Sequence, residues 1–218
     1  MAEATSRRRS WHRMIPLVVA LVGLALIGVA TARWISSNRS AEATPAAAGS
    51  VVLDRIPSPE QLQRMHVVKA DDRTRLRIRS VGLDVPVGVL SSVDGEITPP
   101  TVDSAYLVRD YGGTLDEADR KPLLVVMHSV HGAGFGPGNA LIDVAGQRSA
   151  VEPGTSIVLG DRRYRVTSSA VVAKADLPHR SEVWQAPAGE LVIITCMITP
   201  QRDQSSDNLV VIARRVKQ

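Results

Sequence analysis

One thiol is available for chemistry in this chain. Cys196 is the only cysteine among 218 residues and closes the run "LVIITC", with Pro200 and Arg202 following within six positions. A single cysteine cannot form an intramolecular disulfide, so it pairs with another chain or stays free. Many free cysteines are simply small buried hydrophobes. Cys196, however, stands where an apolar strand meets a polar loop, a place from which a side chain can face a groove. To act as a nucleophile it needs a base or a positive field. His128 in "VVMHSVHG" fits best, because it too ends an apolar run, ahead of a Gly-rich loop. His131 competes with it three residues on. His12 precedes a long apolar segment, His66 lies in an N-terminal arm, and His179 sits in a polar stretch.

Attack of a thiolate on an acyl carbonyl also calls for a donor to the oxyanion, either backbone N–H groups or an arginine. Arg202 in the loop after Cys196 is the leading candidate; Arg214 and Arg215 at the chain's last apolar run are the others. Each could equally be a solvated surface charge. No metal site is expected, since the histidines are scattered and no H-x-x-x-H occurs. "GAGFGPG" (132–138) lacks the Lys and spacing of a phosphate-binding loop and reads as a groove wall. No cofactor is implied.

The elements that must hold these residues are strands. "RLRIRSVGLDVPVGVL" alternates Leu76 and Ile78 with arginines, turns at Gly82, and resumes with Val85, Val87 and Val89. "PLLVVMHSV" is a continuous apolar run, as in a strand buried on both faces. Gly160-Asp161 divides a hairpin, and "GELVIITC" and "DNLVVIARRV" supply two more strands. Helix is expected only at 139–144, at a turn around 178–182, and after Ser58, where Pro59 and Gln61 complete a capping box. Seven or eight short strands without a βαβ rhythm predict a mainly β, closed or nearly closed antiparallel-rich barrel with short helices.

The N-terminus carries a different signal. From Met14 to Ala32 there is no charged residue, and nineteen residues of helix rise roughly 28 Å, about a bilayer's hydrocarbon thickness. Arg7, Arg8, Arg9 and Arg13 precede it, with Trp11 and Trp34 flanking. This pattern predicts a single-pass anchor with a cytoplasmic N-terminus and the remainder outside the cell membrane; a signal peptide cleaved after "ATA" (30–32) is the alternative. Four arginines against Glu3 in residues 1–13 carry +3 of the chain's +4, leaving about +1 for the exported part. The basic patch is therefore a topology signal, and no nucleic-acid partner is expected. The domains follow: a basic tail at 1–13, the anchor at 14–32, a flexible tether and helical arm at 33–72, and a catalytic domain at 73–218.

The ordered series of segments resembles the sortases of Gram-positive bacteria, most closely class F, with class E next. "RLRIRSVGLDVPVGVL", "VDGEITPP", "PLLVVMHSVHGAGFGPGNALIDV", "VEPGTSIVL", "ELVIITC" and "DNLVVIARR" follow that family's motifs over about 140 residues. The resemblance implies a sortase-type eight-stranded barrel and a membrane-held cysteine transpeptidase. Its partners would be secreted proteins bearing a C-terminal L-P-x-T-G-like sorting signal and an amine acceptor in a cell-wall precursor or another protein. Cys196 would form the thioester, His128 would move the proton, Arg202 would steady the oxyanion, and Thr195 and His131 would contact substrate. Three positions depart from class F: Ser206 stands where an Arg is usual, Met127 where a Gly is common before the His, and "MIT" where small residues follow the Cys. A degraded sortase-like module that binds or scaffolds in the envelope is the alternative function.

Overall fold

The structure is a computed structural model describing residues 48–132, 134–200 and 205–216. The tail at 1–13, the anchor expected at 14–32 and Arg202 lie outside the described residues. Among those described, no helix is long and apolar enough to cross a membrane.

Twelve strands follow in order: β1 (Ser50–Val51), β2 (Val68–Ile78), β3 (Leu83–Leu90), β4 (Glu96–Ile97), β5 (Ala105–Val108), β6 (Leu123–Met127), β7 (Ile142–Asp143), β8 (Arg148–Ser149), β9 (Ser156–Leu159), β10 (Arg162–Ala173), β11 (Glu190–Cys196) and β12 (Asp207–Arg215). Eight of them close a barrel in the order β10-β12-β11-β6-β5-β3-β2-β9. Closure leaves no unpaired edge among them. The pairings β3–β5 and β6–β11 are parallel and the other six antiparallel, a mixed barrel rich in antiparallel contacts, as expected. The hairpin between β9 and β10 turns on Gly160, whose φ of 59° suits a residue without a Cβ.

The strands β6 and β11 read as unbroken apolar runs because both their faces are covered. Leu123, Val125 and Met127 alternate inward with Leu191 and Ile193 to fill the barrel. Leu124, Val126, Val192, Ile194 and Cys196 face outward, beneath Val51, Leu53, Met65 and Trp184. That outer layer consists of the N-terminal segment with its helix α1 (Pro59–Arg64), and the helix α2 (Ser181–Trp184). Helix α1 carries the expected capping box: Gln61 N donates to Ser58 Oγ, and Ser58 N donates back to Gln61 Oε1.

Two expectations are corrected. The domain does not begin at Arg73. Residues 48–72 belong to the fold rather than to a tether, because β1 pairs with β4 and the side chains of Leu53 and Met65 are buried in the outer core. Nor is 139–144 a helix. A 3₁₀ turn spans Pro137–Leu141, and Ile142 then enters a strand paired with Ser149. Asn139 accepts from the N–H groups of Val130 and Gly136 and donates to Val130 O, so its side chain closes the preceding loop.

Gly138 in that turn packs directly on the hydroxyls of Thr195 and Ser129, where a Cβ would collide with both. Gly138→Ala should therefore destabilise the fold by about 2 kcal/mol, lowering Tm by roughly 4–8 °C in a thermal melt.

Candidate active site

The parallel pairing of β6 and β11 runs through Ile194 opposite Val126. Two residues further on, Cys196 and His128 leave the barrel at the same end, continuing the outward-facing series of Ile194 and Val126. Side chains two apart on a strand share a face, so thiol and imidazole are carried to the same side of the sheet. Both line one groove of about 420 Å³, together with Leu53, Ile56, Val102, Val130 and His131. Two larger depressions, of about 600 and 710 Å³, lie around Arg163 at the opposite end of β10 and contain neither group.

Cys196 is the one free thiol and is only 2% exposed. Burial pushes its pKa up to about 11, Lys174 draws it down, and Asp54 pushes it up. Those two charges form an ion pair at 3.0 Å, so their effects on the thiol oppose each other. A thiol at about 11 is thiolate in only ~1 of 10,000 molecules at pH 7.

His128 is also buried. Its Nδ1 lies 2.8 Å from the carbonyl oxygen of Leu53, and its Nε2 3.0 Å from that of Pro99. Carbonyl oxygens only accept, so both contacts are hydrogen bonds only when both ring nitrogens carry a proton. Leu53 belongs to the N-terminal strap 52–57, which is fixed by β1–β4 pairing before it and by Asp54–Lys174 within it. To accept a proton, the imidazole must first give up one of these two carbonyls.

Thr195, expected to contact substrate, is 0% exposed and does not face the groove. As the odd member of its strand it points inward, where its hydroxyl donates to Met127 O at 2.9 Å and meets Ser129 Oγ at 2.6 Å. It therefore ties β11 to the end of β6 immediately below Cys196 and His128. His131 does line the groove. Arg214 and Arg215 are at the far end of β12, paired with Glu190 and Asp119 respectively, and so lie away from Cys196. His179 sits in a 3₁₀ turn (Leu177–His179) and His66 in the turn after α1, and neither lines the groove.

Several residues escaped the sequence analysis. The strap falls within the expected tether, although "VVLDRIP" (51–57) holds an apolar run and a charged pair that signal a packed segment. Ser129, adjacent to His128, gave no signal. Asn208 stands directly opposite Cys196 on β12, wholly buried, and neither its Oδ1 nor its Nδ2 has a partner among the described residues.

No family model and no curated protein matches the chain. Among solved structures it is similar to sortase C-1 from Actinomyces oris, at 17% identity over 89% of this chain and 99% of that one, with a TM-score of 0.49. It is similar also to the Group B Streptococcus Pilus Island 1 sortase C2, at 16% identity over 85% and 96%, with a TM-score of 0.49. A lid mutant of sortase A from Corynebacterium diphtheriae aligns at 16% identity over 69% and 73%, with a TM-score of 0.44.

The raised thiol pKa has a direct kinetic consequence. Against a free thiol at the reference value of 9.0, Cys196 should react with iodoacetamide roughly 100-fold more slowly at pH 8, with the rate climbing about tenfold per pH unit toward pH 10. Asp54→Asn removes the charge that pushes the thiol up and leaves Lys174 unopposed. The alkylation profile should then move to lower pH, as followed by mass spectrometry over time.

Proposed function

We propose that this chain is a membrane-anchored cysteine transpeptidase of the sortase type, cleaving an L-P-x-T-G-like sorting signal and passing the protein to an amine of the cell envelope. The observation that carries this reading is the placement of Cys196 and His128 at the same end of two paired parallel strands, opening on one groove. The ordered motifs favour class F within the family. Residues 14–32 supply the anchor and put the catalytic domain outside the cell.

The chemistry runs in two halves. The Cys196 proton passes to His128 as Sγ bonds to the carbonyl carbon of the signal's Thr, and the carbonyl oxygen becomes an oxyanion. Collapse of that intermediate breaks the peptide C–N bond, and His128 returns the proton to the departing amine. The thioester is then attacked by an incoming amine, which yields its proton to His128 as the C–N bond forms and the thiolate leaves. Arg202 serves the oxyanion, and His131 contacts the peptide. The exposed side chains of Ile56 and Val102 beside the groove give it an apolar rim suited to the signal's leucine.

One observation favours a second reading, an envelope binding module. Both ring nitrogens of His128 lie against carbonyl oxygens and the thiol is buried, so neither group is turned to the other in this state. Intact-mass analysis of the full chain in mild detergent, incubated with a panel of L-P-x-T-G-like peptides, separates the two. A transpeptidase gains the mass of the acyl fragment and loses it to hydroxylamine, and Cys196→Ala gains none. His128→Ala should slow acylation by about 10²–10⁴ and Arg202→Ala by about 10²–10³. Absence of any adduct across the panel would favour the binding module.

A further inference from the structure

Acyl transfer at a thiol needs a proton acceptor near sulfur and a donor near the carbonyl oxygen. His128, just past the end of β6, provides the first from one side of Cys196. On the other side lies β12, whose residue directly opposite Cys196 is Asn208. Residues directly opposite in an antiparallel pair share a face, with Cβ atoms about 5 Å apart. That face is the outward one, since Cys196, Ile194 and Val210 belong to the same outer cluster. The three strand ends therefore present His128, Cys196 and Asn208 side by side, with the thiol in the middle.

The state of Asn208 is unusual. It is 0% exposed, and both polar atoms of its amide lack a hydrogen-bond partner among the described residues. Arg109 and Arg162 also bury an unpartnered Nε, yet each is held through other atoms, by the His66 carbonyl and by Asp119 and Asp161, and Tyr164 and Thr199 each bury one unpartnered hydroxyl, whereas Asn208 buries two unpartnered atoms. Asn208 has no such alternative. Its β10 partner in the ladder is Val172, and Val210 follows two residues on, so its surroundings are apolar. An unpaired amide in such a place lowers stability, and an apolar residue of similar size would remove that cost. A buried polar group without a partner calls for an explanation, and a catalytic role is one.

We propose that Asn208 is a catalytic residue, its Nδ2–H donating to the oxyanion that forms when Cys196 attacks the peptide carbonyl. Asn208 does not line the groove at rest, so its N–H edge would reach the carbonyl oxygen only as the groove opens to admit the peptide. A neutral donor suits this position because Asp54, the one carboxylate lining the groove among the described residues, is already taken by Lys174. In low-dielectric surroundings a single aimed N–H is worth far more than in water. This proposal rests on the transpeptidase reading.

The test compares two reactions of the same thiol in the full chain: acylation by the best L-P-x-T-G-like peptide, and alkylation by iodoacetamide. Alkylation attacks a saturated carbon and forms no oxyanion. In both Asn208→Ala and Asn208→Leu, the ratio of acylation rate to alkylation rate should fall by about 100-fold, whatever each variant does to thiol reactivity. An equal fall in both rates would mean that Asn208 only positions Cys196, and an unchanged acylation rate would remove it from the reaction; either result overturns the proposal. Failure of the wild-type chain to acylate at all would overturn the transpeptidase reading and this proposal together, a result readily told apart from wild-type acylation that survives both substitutions.

Discussion

The parallel pairing of β6 with β11 is the constraint on which the site depends. Parallel neighbours run in the same direction, so their C-terminal ends emerge together, and residues at matching positions beyond the last pair are carried to one edge of the barrel. His128 and Cys196, 68 positions apart in the chain, become neighbours through nothing more than this register. A slip of one residue would turn one of them into the barrel. Register is held from below by the inward row, where Thr195 bonds Met127 O and Ser129, and Gly138 is small enough to let that hydroxyl pair form.

Covering both faces of these strands has an electrostatic cost. The outer layer that buries Ile194 and Val126 also encloses Cys196, and the same exclusion of water that stabilises the apolar contacts disfavours the thiolate. The low dielectric acts in the other direction once charge develops, because each N–H aimed at an oxyanion gains strength there. The site therefore suits an attack in which the proton leaves the thiol as the carbon–sulfur bond forms, rather than one that waits for a stored thiolate. Lys174 and Asp54 act on the sulfur in opposite directions, so under the proposed function its proton would be moved by His128.

Much of this was legible in the sequence, and the remainder was hidden for identifiable reasons. Strand alternation at Leu76 and Ile78, the turn at Gly160 and the continuous runs of β6 and β11 are local patterns, and each became the expected element. Cys196 and His128 could be singled out because both end apolar runs. Which face a strand-end residue adopts is a tertiary fact, however, and Thr195 was misjudged for that reason: adjacency to Cys196 in sequence puts it on the opposite side of the sheet. The strap 52–57 was missed because a short segment between an alanine-rich stretch and a capped helix has no periodicity to read. Asn208 was visible only as part of a motif; its orphaned amide exists only once β12 lies against β11.

The strap explains why the resting state is closed without any residue being out of place. Leu53 contributes a buried side chain to the outer core and a carbonyl to His128, so one residue both completes the apolar layer and occupies the base. Lifting the strap would expose Leu53, release one nitrogen of the imidazole, and part Asp54 from Lys174. The last step would leave a cation near the sulfur with its counter-charge withdrawn, which favours loss of the thiol proton as a ring nitrogen becomes available to take it. A peptide whose apolar side chain replaced that of Leu53 would offset the cost of exposing it, so the occupant that displaces the strap would also ready the pair it needs. Under the proposed function, the groove would thus couple substrate burial to proton transfer through a single short segment of backbone.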